Sequence, residues 1–199
     1  MYREFAKIGA FLFQAGIISS HGGNLSVRVG DRILITRRGS MLGDLHAEDI
    51  IETGLQKNDS GILLASTEIG VHRAIYQNTS ALAIVHAHPP HAVVLSLGRD
   101  EIIPVDSEGS YTLHKIPVVT TQTTIGSEEV AEKMPPVLKN YKIAMLRGHG
   151  SFAIGHVLEE AFQWTSTLEE CCKMLYLFEN QKNSTIIEYR KESDKYDQW

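Results

Sequence analysis

The chain has 199 residues, enough for one medium-sized domain with a full hydrophobic core. Hydrophobic residues make up 43% and charged residues 22%, which excludes extensive disorder, and the net charge of −5 argues against the basic face of a nucleic-acid binder. No apolar stretch reaches bilayer length, and Glu4 and Lys7 interrupt any leader-like apolar core, so the expectation is a cytoplasmic protein with no membrane or nucleic-acid partner.

In chain order, Phe5, Ile8, Phe11, Leu12 and Ala15 recur at helical spacing, with Gly16 placed to end the helix. After a loop at 19–24, Leu25 to Val29 and Arg32 to Thr36 alternate around the turn Gly30-Asp31 and predict a hairpin. A glycine-containing loop, Arg37 to Asp44, precedes a strand at Ile50 to Leu55. Thr67 to Gln77 predicts a helix capped by Ser66. Ala81 to His88 reads as a buried strand stopped by Pro89-Pro90, and His91 to Leu97 as a short helix. Strands are expected at Ile102 to Val105 and Ile116 to Val119, and a helix at Ser127 to Lys133. Two apolar pieces, Ile143 to Leu146 and Ser151 to Ile154, flank a glycine-histidine turn. From Val157 to Gln181 one long helix presents Leu158, Ala161, Phe162, Thr165, Leu168, Cys172, Leu175 and Phe178 on one face. Residues 1–182 therefore form a single α/β domain, and the polar segment 183–199 reads as a tail. Cys171 and Cys172 are neighbours on a helix, where an intramolecular disulfide is strained, and nothing else suggests a disulfide framework.

Three histidines and one glutamate stand out. Residues two apart on a strand project from the same face, so His86 and His88 are able to reach one ion. Alone, the pair fits a metal role or a half-buried structural role equally well. His149 follows a second apolar strand, between Gly148 and Gly150, where small neighbours let an imidazole pack against another element. Three neutral imidazoles with an open fourth position form a common catalytic zinc arrangement. Glu68 begins a predicted helix whose free N–H groups, with Ser66 and Thr67, suit a phosphate. An acidic residue in a first turn is also ordinary, so Glu68 alone specifies nothing.

The pieces Gly22-Gly23-Asn24-Leu25-Ser26, Ile35-Thr36-Arg37-Arg38-Gly39, Ser66-Thr67-Glu68, His86-Ala87-His88 and Gly148-His149-Gly150 occur in an order and spacing that resemble the class II aldolase/adducin family, its fuculose-1-phosphate aldolase type in particular. The resemblance spans about residues 5 to 180. It implies a three-layer α/β/α sandwich around a mixed, mostly antiparallel sheet, and a homotetramer with active sites at subunit interfaces. His86, His88 and His149 match the zinc ligands, with another divalent transition metal as the alternative. Glu68 matches the acid/base, and Asn24, Gly39, Ser66 and Thr67, with Arg38 beside them, match the substrate-binding positions. The family's second proton carrier is a tyrosine from a neighbouring subunit. The corresponding stretch, Pro104 to Gly109, has none, and Glu108 or a shifted Tyr111 is the substitute.

The implied reaction is cleavage of a phosphorylated ketose into dihydroxyacetone phosphate and an aldehyde through a metal-stabilised ene-diolate. Relatives that epimerise, dehydrate or decarboxylate sugar phosphates use the same kind of site, and adducin carries the fold as a non-catalytic scaffold. The presence of all three histidines and Glu68 favours an enzyme.

Overall fold

The computed structural model describes residues 1–182 and 185–186, so all of the expected tail but residues 185–186, including Tyr189, Tyr196 and Trp199, lies outside the described residues. Helix α1 (Tyr2–Gln14) leads into the hairpin β1 (Asn24–Val29) and β2 (Arg32–Thr36), then β3 (Ile50–Gly54) and α2 (Ile69–Asn78). Strand β4 (Ala83–Ala87), α3 (Pro90–Ser96), β5 (Glu101–Ile102), α4 (Ser107–Leu113) and β6 (Ile116–Val119) follow. The chain then forms α5 (Glu128–Leu138), β7 (Ile143–Leu146), β8 (Gly150–Gly155) and α6 (Leu158–Glu179). No helix among the described residues is long and apolar enough to cross a membrane.

The strands make one sheet in the order β3-β2-β1-β4-β8-β7-β6-β5. Every neighbouring pair is antiparallel except β6 with β7, so the sheet is mixed and mostly antiparallel. Side-chain alternation divides its residues between two apolar layers. One layer joins Leu25, Val85, Ala87, Met145 and Ala153 to α1, α3 and α6, through Phe5, Leu12, Leu95 and Leu168. The other joins Ile33, Ile35, Ile84, Ala144 and Phe152 to α2 and α5, through Ile75, Tyr76, Val130 and Met134. This is the expected three-layer α/β/α sandwich. The central strands β4 and β7 are buried along their whole length, which is why they read as continuous apolar runs.

Several expectations are corrected. Phe11 is 41% exposed and packs on Phe162 at a ring separation of 6.0 Å, so the buried stripe of α1 is Phe5, Ile8, Gly9 and Leu12. Helix α2 starts at Ile69, not Thr67. The Ser66 N–H is used by the Thr36 carbonyl, which keeps Ser66 on an extended path, and its hydroxyl accepts from the Glu68 N–H. The strand foreseen at Ile102 to Val105 shrinks to Glu101–Ile102. Helix α4 was not foreseen because Ser, Gly and Thr dominate it. It is started by Asp106, whose carboxylate accepts from the Gly109 N–H at 2.7 Å. Helix α5 runs on through Pro135 and Pro136 to Leu138. The prolines leave the carbonyls of Ala131 and Glu132 without their helical donors.

Helix α1 can lie on the Leu42–Asp44 turn only because Gly9 has no side chain. A β-carbon there would stand 2.1 Å from the Leu42 carbonyl oxygen. Gly9→Ala is expected to destabilise the fold by about 1–3 kcal/mol, the usual cost of overpacking, read from urea unfolding midpoints at constant m. An unchanged midpoint would show that α1 docks elsewhere.

Candidate metal centre

Sheet register builds the site. Asn24 opens β1 directly opposite His86 on β4, and His86 in turn faces Phe152 on β8. His88 lies one step past the end of β4, and His149 sits in the tight turn between β7 and β8. Chain ends of three central strands thus meet at one edge of the sheet. There the rings of His86, His88 and His149 stand with centroids 4.9 Å apart in all three pairings. One nitrogen from each lies within 4.8 Å of the other two, the one cluster of three such donors among the described residues.

The donor set fits a divalent cation. The His86 Nδ1 nitrogen donates to the Ser151 carbonyl at 2.9 Å, which fixes the tautomer and leaves the Nε2 lone pair facing the pocket. That atom is 3.1 Å from His88 Nε2, close to the separation of about 3.3 Å that two nitrogens at about 2.0–2.1 Å from a tetrahedral zinc would have. His149 Nδ1 is buried with no hydrogen-bond partner among the described residues. Phe152 stacks on His86 at 4.2 Å and holds its ring from below. Two glycines make the approach possible. A β-carbon at Gly150 would stand 2.6 Å from His88 Cδ2 and 2.3 Å from the Ala87 carbonyl oxygen, and one at Gly22 would stand 2.9 Å from His88 Nδ1.

Burial holds all three imidazoles neutral. Desolvation and then repulsion from the other rings push His86 well below its ordinary value. The same two causes bring His88 down to about 4, and burial lowers His149 against an opposing contact with the Thr124 backbone. Neutral imidazole is the form that ligates metal.

Glu68 lines the same pocket and is 3% exposed. Its Oε1 accepts from the Gly126 N–H at 3.0 Å, whereas its Oε2 is buried without a partner. Burial raises its pKa, partly offset by that hydrogen bond. The pocket, about 180 Å³, is also lined by Asn24, Arg38, Gly39, Ser66 and Thr67. Gly39 has a φ of +72°, which lets the loop after β2 turn over the pocket mouth. Glu108 lies elsewhere. It is exposed on α4, beside a separate depression formed with Asp106, Ser166, Glu170 and Met174.

Three residues of the site carry no signal in the sequence. His21 lines the pocket, as does Ile125. Gly126, with φ at +56°, brings its N–H to Glu68 from 58 residues away, and no local pattern signals that.

Comparison with known proteins agrees with this architecture. The chain belongs to the class II aldolase and adducin family, whose class II aldolase and adducin N-terminal domain matches residues 3–176. It is 32% identical over 182 residues to an L-fuculose phosphate aldolase of Methanococcus maripaludis, covering 90% of this chain and 98% of that one. It is also 31% identical over 186 residues to a 3-oxo-tetronate 4-phosphate decarboxylase of Pectobacterium atrosepticum, covering 90% and 85%. The crystal structure of L-fuculose-1-phosphate aldolase from Thermus thermophilus superposes with a TM-score of 0.84 at 38% identity, over 88% of this chain and 92% of that one. The protein is therefore an enzyme of the class II aldolase superfamily, a group that works with divalent metal.

Buried neutral histidines make the metal-free protein acid-sensitive. His72, wholly buried under the sheet, has its pKa pushed down by burial to about 3, and His88 falls to about 4. Below pH 6.5 the unfolded chain takes up protons that these folded sites refuse, so stability falls with pH. Each fully shifted histidine contributes about 1.4 kcal/mol per pH unit, or about 2 kcal/mol between pH 6.5 and 5. Glu68, shifted upward, acts with the opposite sign and offsets part of this. Urea unfolding of chelator-treated protein is expected to weaken steadily from pH 7 to pH 5. A flat profile would mean that these rings are not buried neutral.

Proposed function

We propose that the protein is a zinc-dependent aldolase that splits a small phosphorylated ketose, of the L-fuculose-1-phosphate type, into dihydroxyacetone phosphate and an aldehyde. The observation that carries this reading is the convergence of three neutral imidazoles with a buried carboxylate, one of whose oxygens is unpartnered, in a single pocket. His86, His88 and His149 would hold the cation, with zinc the first choice for three nitrogen donors and another divalent transition metal the alternative. Bound there, it supplies a Lewis acid for the negative charge that bond cleavage leaves on the ketose oxygens.

The remaining work falls to the chain's own side chains. Cleavage takes a proton from the C4 hydroxyl, breaks the C3–C4 bond, and returns a proton to C3. Glu68 is assigned the proton at C3, because burial raises its pKa and its Oε2 is free to carry the proton. Asn24, Gly39, Ser66 and Thr67 are assigned to the substrate phosphate, with Arg38 exposed on the rim beside them. Arg37 also lines the pocket but is tied to Asp49 at 3.0 Å, which makes Arg38 the cation assigned to the substrate. The proton at C4 oxygen needs a further group. Glu108 fills this role only from a neighbouring subunit, consistent with a homotetramer whose active sites lie at interfaces. Substrates of this class and the two reduced, buried cysteines suit the cytoplasm.

A second reading, decarboxylation of a phosphorylated 3-oxo acid, draws on the likeness to the Pectobacterium decarboxylase and on the exposed Arg38, which suits a second anionic group. Release of dihydroxyacetone phosphate from a panel of ketose phosphates, set against carbon dioxide release from phosphorylated 3-oxo acids, separates the two. Exclusive carbon dioxide release would overturn the aldolase assignment.

Glu68→Gln is expected to keep the metal and lose turnover by about 10²-fold or more. Near-normal turnover would remove Glu68 from the chemistry. His88→Ala is expected to lose both, and one equivalent of metal retained by that variant, measured by elemental analysis after dialysis, would contradict its role as a ligand.

A further inference from the structure

The turn that carries His149 closes the β7–β8 hairpin, where Leu146 pairs with Gly150. Glycines stand on both sides of the histidine, Gly148 has a φ of +67°, and the His149 N–H donates to the Leu146 carbonyl at 3.0 Å. Further anchors come from outside the hairpin, several of them through one residue. Arg147 is the first residue past β7. Its N–H donates to the Val119 carbonyl at 2.9 Å, which fastens its backbone to the end of β6. Its guanidinium then reaches three further segments. Nη1 donates to the carbonyl of Ser96 at 2.7 Å and of Leu97 at 3.4 Å, Nη2 to Asp100 at 2.6 Å, and Nε to the hydroxyl of Thr120 at 2.8 Å. Beside it the Gly148 N–H donates to the buried hydroxyl of Ser96 at 2.9 Å.

Those contacts link the two halves of the histidine cluster. Ser96 is the last residue of α3, a rod of seven residues whose first residue is two positions after His88. The other end of α3 is clamped by Glu169 of α6, which accepts from the His91 N–H at 3.1 Å and from the Ala92 N–H at 3.3 Å. One end of the rod therefore sets His88 and the other, through Ser96 and Arg147, sets His149. Thr120 opens the loop that ends at Gly126, the residue that clasps Glu68.

We propose that Arg147 is a positioning residue that sets the separation of His88 and His149, and through it the affinity of the three-histidine site for a divalent cation. This inference rests on the metal-site reading above. Stability accounts for part of this network, since Nη1 satisfies the carbonyl of the buried Ser96, but not for all of it. Leu97 is 64% exposed, so water can satisfy its carbonyl, and the Asp100 partner is 99% exposed, so that ion pair is screened. Water cannot tie α3 to β7, and a lysine offers a single charge without the planar fork that bridges several partners at once.

Sign separates positioning from electrostatics. A positive charge near a cation site repels the cation, so removing it by Arg147→Met should tighten binding if charge were all that mattered. Positioning predicts the reverse. The experiment titrates Co²⁺ into chelator-stripped, full-length protein and follows the visible ligand-field band, whose position and intensity report coordination geometry. Arg147→Met is expected to bind about 10–100-fold more weakly than wild type with an altered band, the scale usual for groups that orient metal ligands. Arg147→Lys should resemble Met, and Asp100→Asn should resemble wild type. Wild-type affinity and band in Arg147→Met, or tighter binding, would overturn the proposal, as would an equal loss in Asp100→Asn. Should Arg147→Met fail to fold, Ser96→Ala removes the pin on Gly148 together with the hydroxyl's own bond to the Val93 carbonyl at 2.7 Å within α3. Weaker binding is expected there too, and an unchanged titration counts against the proposal. If wild-type protein itself takes up no Co²⁺, the metal-site reading falls and this inference with it. If wild type binds and the variants match it, only the inference falls.

Discussion

Three imidazoles brought to van der Waals contact at a sheet edge are the constraint around which the structure is arranged. Rings this close, and this poorly solvated, cannot share even one extra proton cheaply, so burial and mutual repulsion keep them neutral. The backbone had to concede space for that. Gly22 and Gly150 occupy positions where any side chain would press on His88, and the antiparallel register of β1, β4 and β8 puts Asn24, His86 and Phe152 side by side. Each of these features is a choice of residue at a strand end, where side chains can leave the apolar layers without disturbing them.

Beneath the site the sheet carries a polar chain in an otherwise apolar layer. Ser26 Oγ lies 2.6 Å from both His72 Nδ1 and the Tyr76 hydroxyl, and all three residues are buried. Ser26 thus bridges Tyr76 and His72 in one continuous chain. His72 meets the edge of Phe152 at 6.1 Å, and Phe152 stacks on His86. A polar group in such a layer is costly unless hydrogen-bonded, and here the bonds tie α2 to β1 directly below the pocket.

Much of this was legible in the sequence because it is local. The hairpin alternates cleanly, β4 and β7 are unbroken apolar runs, and His86-Ala87-His88 needs only the two-residue period of a strand to share a face. Elements set by long-range contacts were not legible. Helix α4 has poor intrinsic propensity and is built by the Asp106 cap and by packing of Gly109 against Cys171, where a β-carbon would stand 2.7 Å from the cysteine side chain. Helix α5 runs through two prolines that any local rule takes as a stop, because Met134, Pro135 and Leu138 are buried. The start of α2 was misplaced by two residues because a bond to Thr36, 30 residues upstream, governs Ser66. At the site the same division holds. The histidines were visible as residue types, whereas the Gly126 clasp and the place of His21 depend on loops that only the folded chain brings together.

The state of Glu68 follows from that last contact. A fully solvated carboxylate would be ionised and indifferent to its surroundings, and a fully paired buried one would be held ionised. Glu68 is neither. One oxygen is fixed by the Gly126 N–H, which aims the group, and the other is buried with no partner among the described residues. Ser66, two residues away, accepts from the Glu68 N–H at 3.3 Å and so helps to fix the start of the segment that carries the carboxylate. Burial raises the pKa of the group and the Gly126 N–H pulls it back only in part, which suits the proton transfer to C3 proposed for it above.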